Sequence, residues 1–256
     1  MEQAILHRYF IWMSYNGAGY CGWQIQPGSP SVQQTLNNAL SILLREAVET
    51  TGAGRTDTGV HASKFAAHFD SALPAHDLNL SQLTYKLNRI LPSDIAIERI
   101  EEVKPNAHAR FSALSRTYHY FICTHKNPFQ IGRSWLVERR LNLEAMQQAA
   151  DLLKAYNDFE SFSKTNTQVK TFICNIIDAR WEQKGTLLRF EITADRFLRN
   201  MVRAIVGTLV EVGLGKISPE DFASITESKD RSQAGYSAPG CGLFLVDIKY
   251  PEAIRL

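Results

Sequence analysis

The stretch "FICNIIDARWEQKGTLLRFEITA", residues 172–194, decides the fold. Its arms, 172–183 and 186–194, are rich in Ile, Phe, Trp and Thr, which suit a pleated, half-buried surface. "KGT" at 184–186 reads as the hairpin turn between them. Upstream, residues 143–155 read as a helix capped by Asn142, and "TYHYFICT" (117–124) reads as a strand. Downstream, residues 195–212 read as a long helix with Leu198, Met201, Val202, Ile205, Leu209 and Val212 on one face. "SPEDF" (218–222) starts another helix, with Ser at the cap, Pro at the first position and Asp at the third. "GLFLVDIKY" (242–250) closes the series as a strand. From about residue 116 the order is therefore β-α-β-β-α-β, the ferredoxin-like topology of many RNA-binding domains.

The first half repeats this order more faintly. Strands are expected at 8–15, 64–70 and 94–103. A helix over 31–45 opens at Ser31 and places Val32, Leu36, Leu40 and Leu43 on one face; another over 81–91 opens at Ser81 and stops at Pro92. The middle strand, near "AVET" (47–50), is the weakest signal. The expected fold is α+β: two ferredoxin-like, RRM-like halves, 1–105 and 106–256, joined into one mainly antiparallel sheet. Helices would cover one side, with a central cleft for the active site. The Gly/Pro/Ser-rich loops 16–30 and 229–241 read as functional connections.

Composition narrows the class. No apolar run is long enough to span a bilayer, and the start lacks a basic n-region followed by an apolar stretch, so no secretory leader is expected. Cys21, Cys123, Cys174 and Cys241 form no C-x-x-C pair, which suits free thiols in a reducing cytoplasm. No histidine spacing suggests a metal site. The formal net charge is +2, but its distribution is uneven. Residues 104–140 carry Lys104, Arg110, Arg116, Lys126, Arg133, Arg139 and Arg140 against Glu138, a local balance of +6 that leaves −4 for the rest. Phe111, Tyr118, Tyr120, Phe121, Phe129 and Trp135 run through the same segment. Cations interleaved with rings suit a phosphate backbone and unstacked bases; a solvated basic face is the plainer alternative.

"GAGRTDTGVHA" (52–62) sets three glycines around Arg55 and Asp57. It lacks the Lys-Ser/Thr of a P-loop and the helix context of a dinucleotide fingerprint. A carboxylate inside a phosphate cradle would also repel its ligand. A tight turn with local Asp hydrogen bonds is the structural alternative. In "ADRFLRNMVRAIVGTLVEVG" (194–213), Arg196, Arg199 and Arg203 recur at helical steps, and Gly207 permits close packing one turn beyond Arg203. In "SRTYHYFI" (115–122), strand alternation sends Arg116, Tyr118 and Tyr120 to one face.

Together these stretches, with "YNGAGYCGWQIQ" (15–26), "VQQTLNNAL" (32–40), "NAHARFSALSRTYHY" (106–120), "NDFESFSK" (157–164) and "GLFLV" (242–246), resemble the TruA family of tRNA pseudouridine synthases over nearly the whole chain. Thr58 stands where that family would have Ala, and Asn16 where Asp is common. The resemblance implies isomerisation of uridine to pseudouridine at positions 38, 39 and 40 of the tRNA anticodon stem-loop. It implies a homodimer, with no metal and no small-molecule cofactor. It makes Asp57 the catalytic nucleophile, by attack on ribose, attack on uracil or assistance to elimination. It places Tyr118 on the target base, Leu245 in the pocket floor, Arg203 beside Asp57, and Arg55 on the RNA. Arg110 and Arg116 belong to the basic tRNA track. Two other readings compete: a non-catalytic RNA-binding protein with two RRM-like halves, and a nucleotide-phosphate enzyme using residues 52–59. The first lacks an RNP1-like pattern, and the second fails at the missing lysine.

Overall fold

The computed structural model describes residues 6–165 and 169–256. Residues 1–5, where the start was read for a leader, lie outside the described residues. Contacts divide the chain into two compact units, Met1–Leu114 with Leu245–Leu256, and Ser115–Phe244. Each is α+β, built on an open and mostly antiparallel sheet.

In the first unit β1 (His7–Tyr15) is the central strand. It pairs antiparallel with β3 (His61–Ser71) on one side and β4 (Ile95–Val103) on the other. The weak middle strand is two residues long: β2 (Thr51–Gly52) pairs with β3 just after "AVET". Tyr9, Phe10 and Ile11 are all fully buried, so both faces of β1 are covered and its apolar residues run on without alternation. Tyr9 stacks on Phe69 on one face; on the other, Tyr250 meets Phe10 and Trp12 edge-on. Helix α1 (Val32–Leu44) starts where Ser31 accepts from the Gln34 amide. Its fully buried Leu36 and Leu40 each contribute roughly 2 kcal/mol of apolar burial. Helix α2 (Leu80–Ile90) begins one residue earlier than the Ser81 reading, because Asn79 accepts from the Gln82 amide and so takes the cap.

In the second unit β5 (Ser115–Cys123) pairs antiparallel with β8 (Leu187–Ala194), and β8 with β7 (Ile176–Lys184). A short β6 (Trp135–Leu136) runs parallel to β5. The β7–β8 hairpin turns at Gly185, which has φ 61°. β7 starts later than expected: residues 172–174 instead bond to the 157–159 segment, through Phe159 N to Phe172 O and Cys174 N to Asn157 O. Helix α3 (Leu143–Leu152) is capped by Asn142 and packs on β7. Helix α5 (Pro219–Ser228) carries a reciprocal capping box between Ser218 and Asp221. Helix α4 (Met201–Gly213) corrects the 195–212 reading. Asn200 takes φ 69°, a left-handed conformation that no helix interior accommodates, so residues 195–200 lie outside the helix. β9 (Leu243–Lys249) closes the strand series. Among the described residues no helix is long and apolar enough to cross a membrane.

One core residue of β3 ties the first unit to pH. His68 is buried, accepts from the Ala109 amide at Nδ1 and lies over Phe10. Burial, followed by the nearby charges of Arg8 and His108, lowers its pKa to about 4, against a smaller opposing pull from Asp70. The unfolded chain therefore binds more protons between the ordinary histidine pKa and about 4. Stability should fall as pH drops through that window and level off below it, by an amount on the order of 2–3 kcal/mol. Urea unfolding at stepped pH checks this, with His68→Asn losing much of the slope. An equal slope in wild type and variant would remove His68 as the cause.

Candidate active site

Asp57 sits half-buried in a loop tied down by backbone hydrogen bonds. The loop leaves β2 as Ala53 donates to the Ala66 carbonyl of β3 at 2.8 Å. It turns at Asp57–Val60, with Val60 N donating to Asp57 O at 3.1 Å and Gly59 at φ 75°. A second loop, residues 16–23, braces it. Gly59 N donates to Tyr20 O, and Trp23 N to Thr56 O, each at 3.3 Å. The buried hydroxyls of Tyr15 and Thr56 share a hydrogen bond of 2.9 Å. The bracing loop is itself fixed: Gly17 N donates to His61 Nδ1, Asn16 N to Asp94 O, and the Tyr20 hydroxyl to the Asp94 carboxylate. Burial, assisted by Asp94, pushes the Tyr20 hydroxyl up to about 12, so it stays a donor at neutral pH.

The glycines of the 52–62 stretch are not equally confined: a Cβ at Gly52 would lie 2.6 Å from the Trp23 ring. At Gly54 a Cβ would meet nothing within 4 Å. In the bracing loop a Cβ at Gly17 would lie 1.9 Å from Val60 O, and Gly22 is confined as closely. Its φ is +93°, and a Cβ there would lie 2.1 Å from Thr56 O and 3.1 Å from the Asp57 carbonyl carbon. Arg55 points to solvent beside Asp57. Arg110 is also exposed, with its guanidinium 5.4 Å from the Phe111 ring, and Leu245 on β9 is buried. These residues all belong to the first unit.

The second unit carries Arg116, Tyr118 and Arg203. Arg116 and Tyr118 are half-buried on β5; Arg116 donates to Asp195 O at 2.7 Å, and Tyr118 meets Phe197 edge-on at 5.1 Å. Tyr120, on the same strand face, is a core residue: fully buried, it donates to Pro239 O at 2.8 Å. Arg203 lies in the first turn of α4, and its Nε donates to Ala238 O at 2.7 Å. The arginine stripe does not form, because Arg196 and Arg199 precede the helix. Arg196 instead donates to the carbonyls of Thr171 and Ile173. Gly207 does allow close packing: a Cβ there would lie 1.8 Å from Tyr236 O. Of the basic segment, Lys104 and Arg110 are exposed on the first unit and Lys126, Arg133, Arg139 and Arg140 on the second, with Phe129 of the second unit also fully outward. Among the described residues no cluster of His, Cys, Asp and Glu could hold a metal ion.

Sequence reasoning did not find Gly22, Tyr15, Thr56 or Asp94 as supports of the loop, nor residues 236–239 as the seat of Arg203. The family-like "YNGAGYCGWQIQ" contained the first of these signals without saying what it braces. The contrast between Gly22 and Gly54 is measurable by urea unfolding. Gly22→Ala should cost about 3 kcal/mol through strain and displacement of the Thr56 carbonyl. Gly54→Ala should stay within about 0.5 kcal/mol of wild type. Equal effects would show that the bracing contact does not hold the loop.

The geometry can be set beside known proteins. A family model described as tRNA pseudouridine synthase matches residues 149–251, which include Arg203. A tRNA pseudouridine synthase A of Parabacteroides distasonis is 53% identical over 249 residues, covering 97% of this chain and 98% of its own. That of Bacteroides thetaiotaomicron is 53% identical over 254 residues, covering 97% and 93%. That of Bacillus subtilis is 40% identical over 242 residues, covering 93% and 97%. Identity of this order along nearly the whole chain shows the family: the chain belongs to the tRNA pseudouridine synthase A family.

Proposed function

We propose that this protein converts uridine to pseudouridine at positions 38, 39 and 40 of the tRNA anticodon stem-loop, with Asp57 as nucleophile. As a member of its family it is an isomerase acting on tRNA uridine. The reaction breaks the N-glycosidic bond and rejoins the base to ribose through carbon 5; the proton held at carbon 5 goes to water while N1, freed from ribose, takes one up. Reactant and product are isomers, so neither an oxidant nor a reductant enters the balance. One observation carries the assignment of Asp57: the carboxylate stands half-buried on a turn whose backbone is tied to β3 and to the 16–23 loop. A carboxylate is a weak nucleophile, and fixing its position is the means by which a protein makes it effective.

In this reading the two halves, 1–105 and 106–256, are ferredoxin-like and divide the work. The first carries the Asp57 loop, the second the Tyr118 strand and the Arg203 helix. Arg203 is the active-site cation of this reading. Tyr118, half-buried and already against Phe197, stacks on the extruded uracil, while Leu245 forms the apolar floor beneath it. Arg55, Arg110 and Arg116 hold the RNA, with the exposed cations of 104–140 following its phosphates. The working form is a cytoplasmic homodimer, as the substrate and the family resemblance imply.

The deciding experiment uses unmodified tRNA labelled with tritium at uridine carbon 5, since pseudouridine formation releases that tritium to water. Wild type should release it from the 3′ side of the anticodon loop and stem, as a nearest-neighbour map would locate. Asp57→Asn should lower the rate by a factor on the order of 10³ or more. Binding by both proteins with release by neither would instead favour the non-catalytic RNA-binding reading. Gly54→Val separates substrate clearance from folding, because nothing in the free protein crowds that position. It should fold normally yet turn over at least about tenfold more slowly as its side chain meets the nucleotide. Wild-type turnover would sink the clearance account.

A further inference from the structure

Residues 234–239 form a strap laid across the start of α4, and two of its hydrogen bonds are to Arg203. Arg203 and Ala238 bond reciprocally: Nε donates to Ala238 O at 2.7 Å, and Ala238 N donates to Arg203 O at 2.9 Å. One turn along, the Tyr236 carbonyl fills the space above Gly207, and Gly235 N donates to the Thr208 hydroxyl at 3.0 Å. At the other end the buried Tyr120 hydroxyl donates to Pro239 O.

Ser237 is the clamp. Its Oγ accepts from Asn200 Nδ2 at 2.6 Å and from Arg231 Nη2 at 3.0 Å. Asn200 is the left-handed residue that starts α4, so this bond ties the strap to the helix terminus that carries Arg203. Arg231 reaches across the strap's base, with Nη1 donating to Ala234 O at 3.1 Å. Its guanidinium thus spans residues 234 and 237 with a planar pair of donors, a geometry lysine cannot reproduce. Both its acceptors are neutral, and burial holds its pKa below the usual arginine value. A cation kept at a desolvation cost on neutral partners is working as a rigid double donor.

We propose that Arg231 and Ser237 are positioning residues for Arg203: they clamp the strap onto α4, and the strap fixes the plane of the Arg203 guanidinium. This rests on the active-site role given to Arg203 above. The clamp acts through the backbone carbonyl of Ala238, so its loss should misalign Arg203 while leaving the exposed tRNA-binding cations in place.

The test uses the full chain, tritium release from carbon-5-labelled unmodified tRNA, and tRNA affinity across a salt series. Arg231→Gln and Ser237→Ala should each lower kcat about tenfold, with KM, affinity and its salt slope unchanged. Ser237→Thr, which keeps the hydroxyl, should restore most of the rate. Arg231→Lys, which keeps the charge, should not. The decisive arm is a double-variant cycle. Added to Arg203→Gln, Arg231→Gln should cause little further loss, because there is no longer a guanidinium to align. Full additivity would overturn the proposal, as would weaker tRNA binding with a shallower salt slope, which would make Arg231 a phosphate contact. Should Arg231→Gln fail to fold, the Ser237→Ala and Ser237→Thr pair and its own cycle with Arg203→Gln decide the matter. Undiminished activity in Arg203→Gln alone would instead strike at the reading of Arg203 itself.

Discussion

The Thr56 carbonyl leaves no room for a side chain at residue 22, and the placement of Asp57 follows from that. The oxygen lies 2.1 Å from where a Cβ would be, while Trp23 N donates to the same oxygen at 3.3 Å. The 16–23 loop can close over residues 56–60 because residue 22 is a glycine with positive φ and residue 17, set against Val60 O, is a glycine too. Once closed, it lends Tyr20 O to Gly59 and holds half-buried Asp57 on a turn that cannot drift far. Polar side chains finish the assembly from behind, with Tyr15 on Thr56, His61 on Gly17, and Tyr20 on Asp94. Each bond is buried or half-buried, so breaking one leaves a polar group unsatisfied, which costs more than the bond itself contributes.

The second unit solves the same problem with different parts. Arg203 has long side-chain freedom, whose immobilisation is expensive in entropy. A carbonyl at Ala238 takes up its Nε, and the planarity of the guanidinium does the rest. In both units a functional side chain is oriented by the main chain of a neighbouring loop. Main-chain groups suit this task because secondary structure and tight packing fix them, whereas side-chain partners would themselves need holding.

Much of the fold was legible because it depends on local chemistry. The "KGT" turn, the Ser31 and Asn142 caps and the Ser218–Asp221 capping box need only nearby residues, and all form as read. One error was a local contest between neighbouring caps, and the others arose where a distant partner decided. Asn79 outcompetes Ser81 for the cap of α2. Residues 172–174 bond to 157–159 instead of lengthening β7. Asn200 stops α4 from extending back through Arg196, and its side chain bonds to Ser237, far along the chain. The arginine periodicity was real as a spacing but empty as a surface, since it crossed a helix boundary. The candidate site residues stand in motifs that can be read directly; their supports do not, because a glycine at 22 gives no local hint that it faces Thr56.

The same division explains how the molecule distributes its charge. The exposed cations of 104–140 stand in high dielectric, where salt screens them and their effect on a polyanion is diffuse. They can gather and orient an RNA but cannot place one base to within a fraction of an ångström. That task falls to groups held by short bonds to buried backbone, which salt hardly reaches. In the proposed reading, binding and chemistry are under separate physical control: the first through net charge on outward side chains, the second through Gly22 against Thr56 and Arg203 against Ala238. A substitution among the surface cations would then act on how often tRNA arrives. One in either brace would act on what happens after it has arrived, and no increase in tRNA concentration would make good that loss.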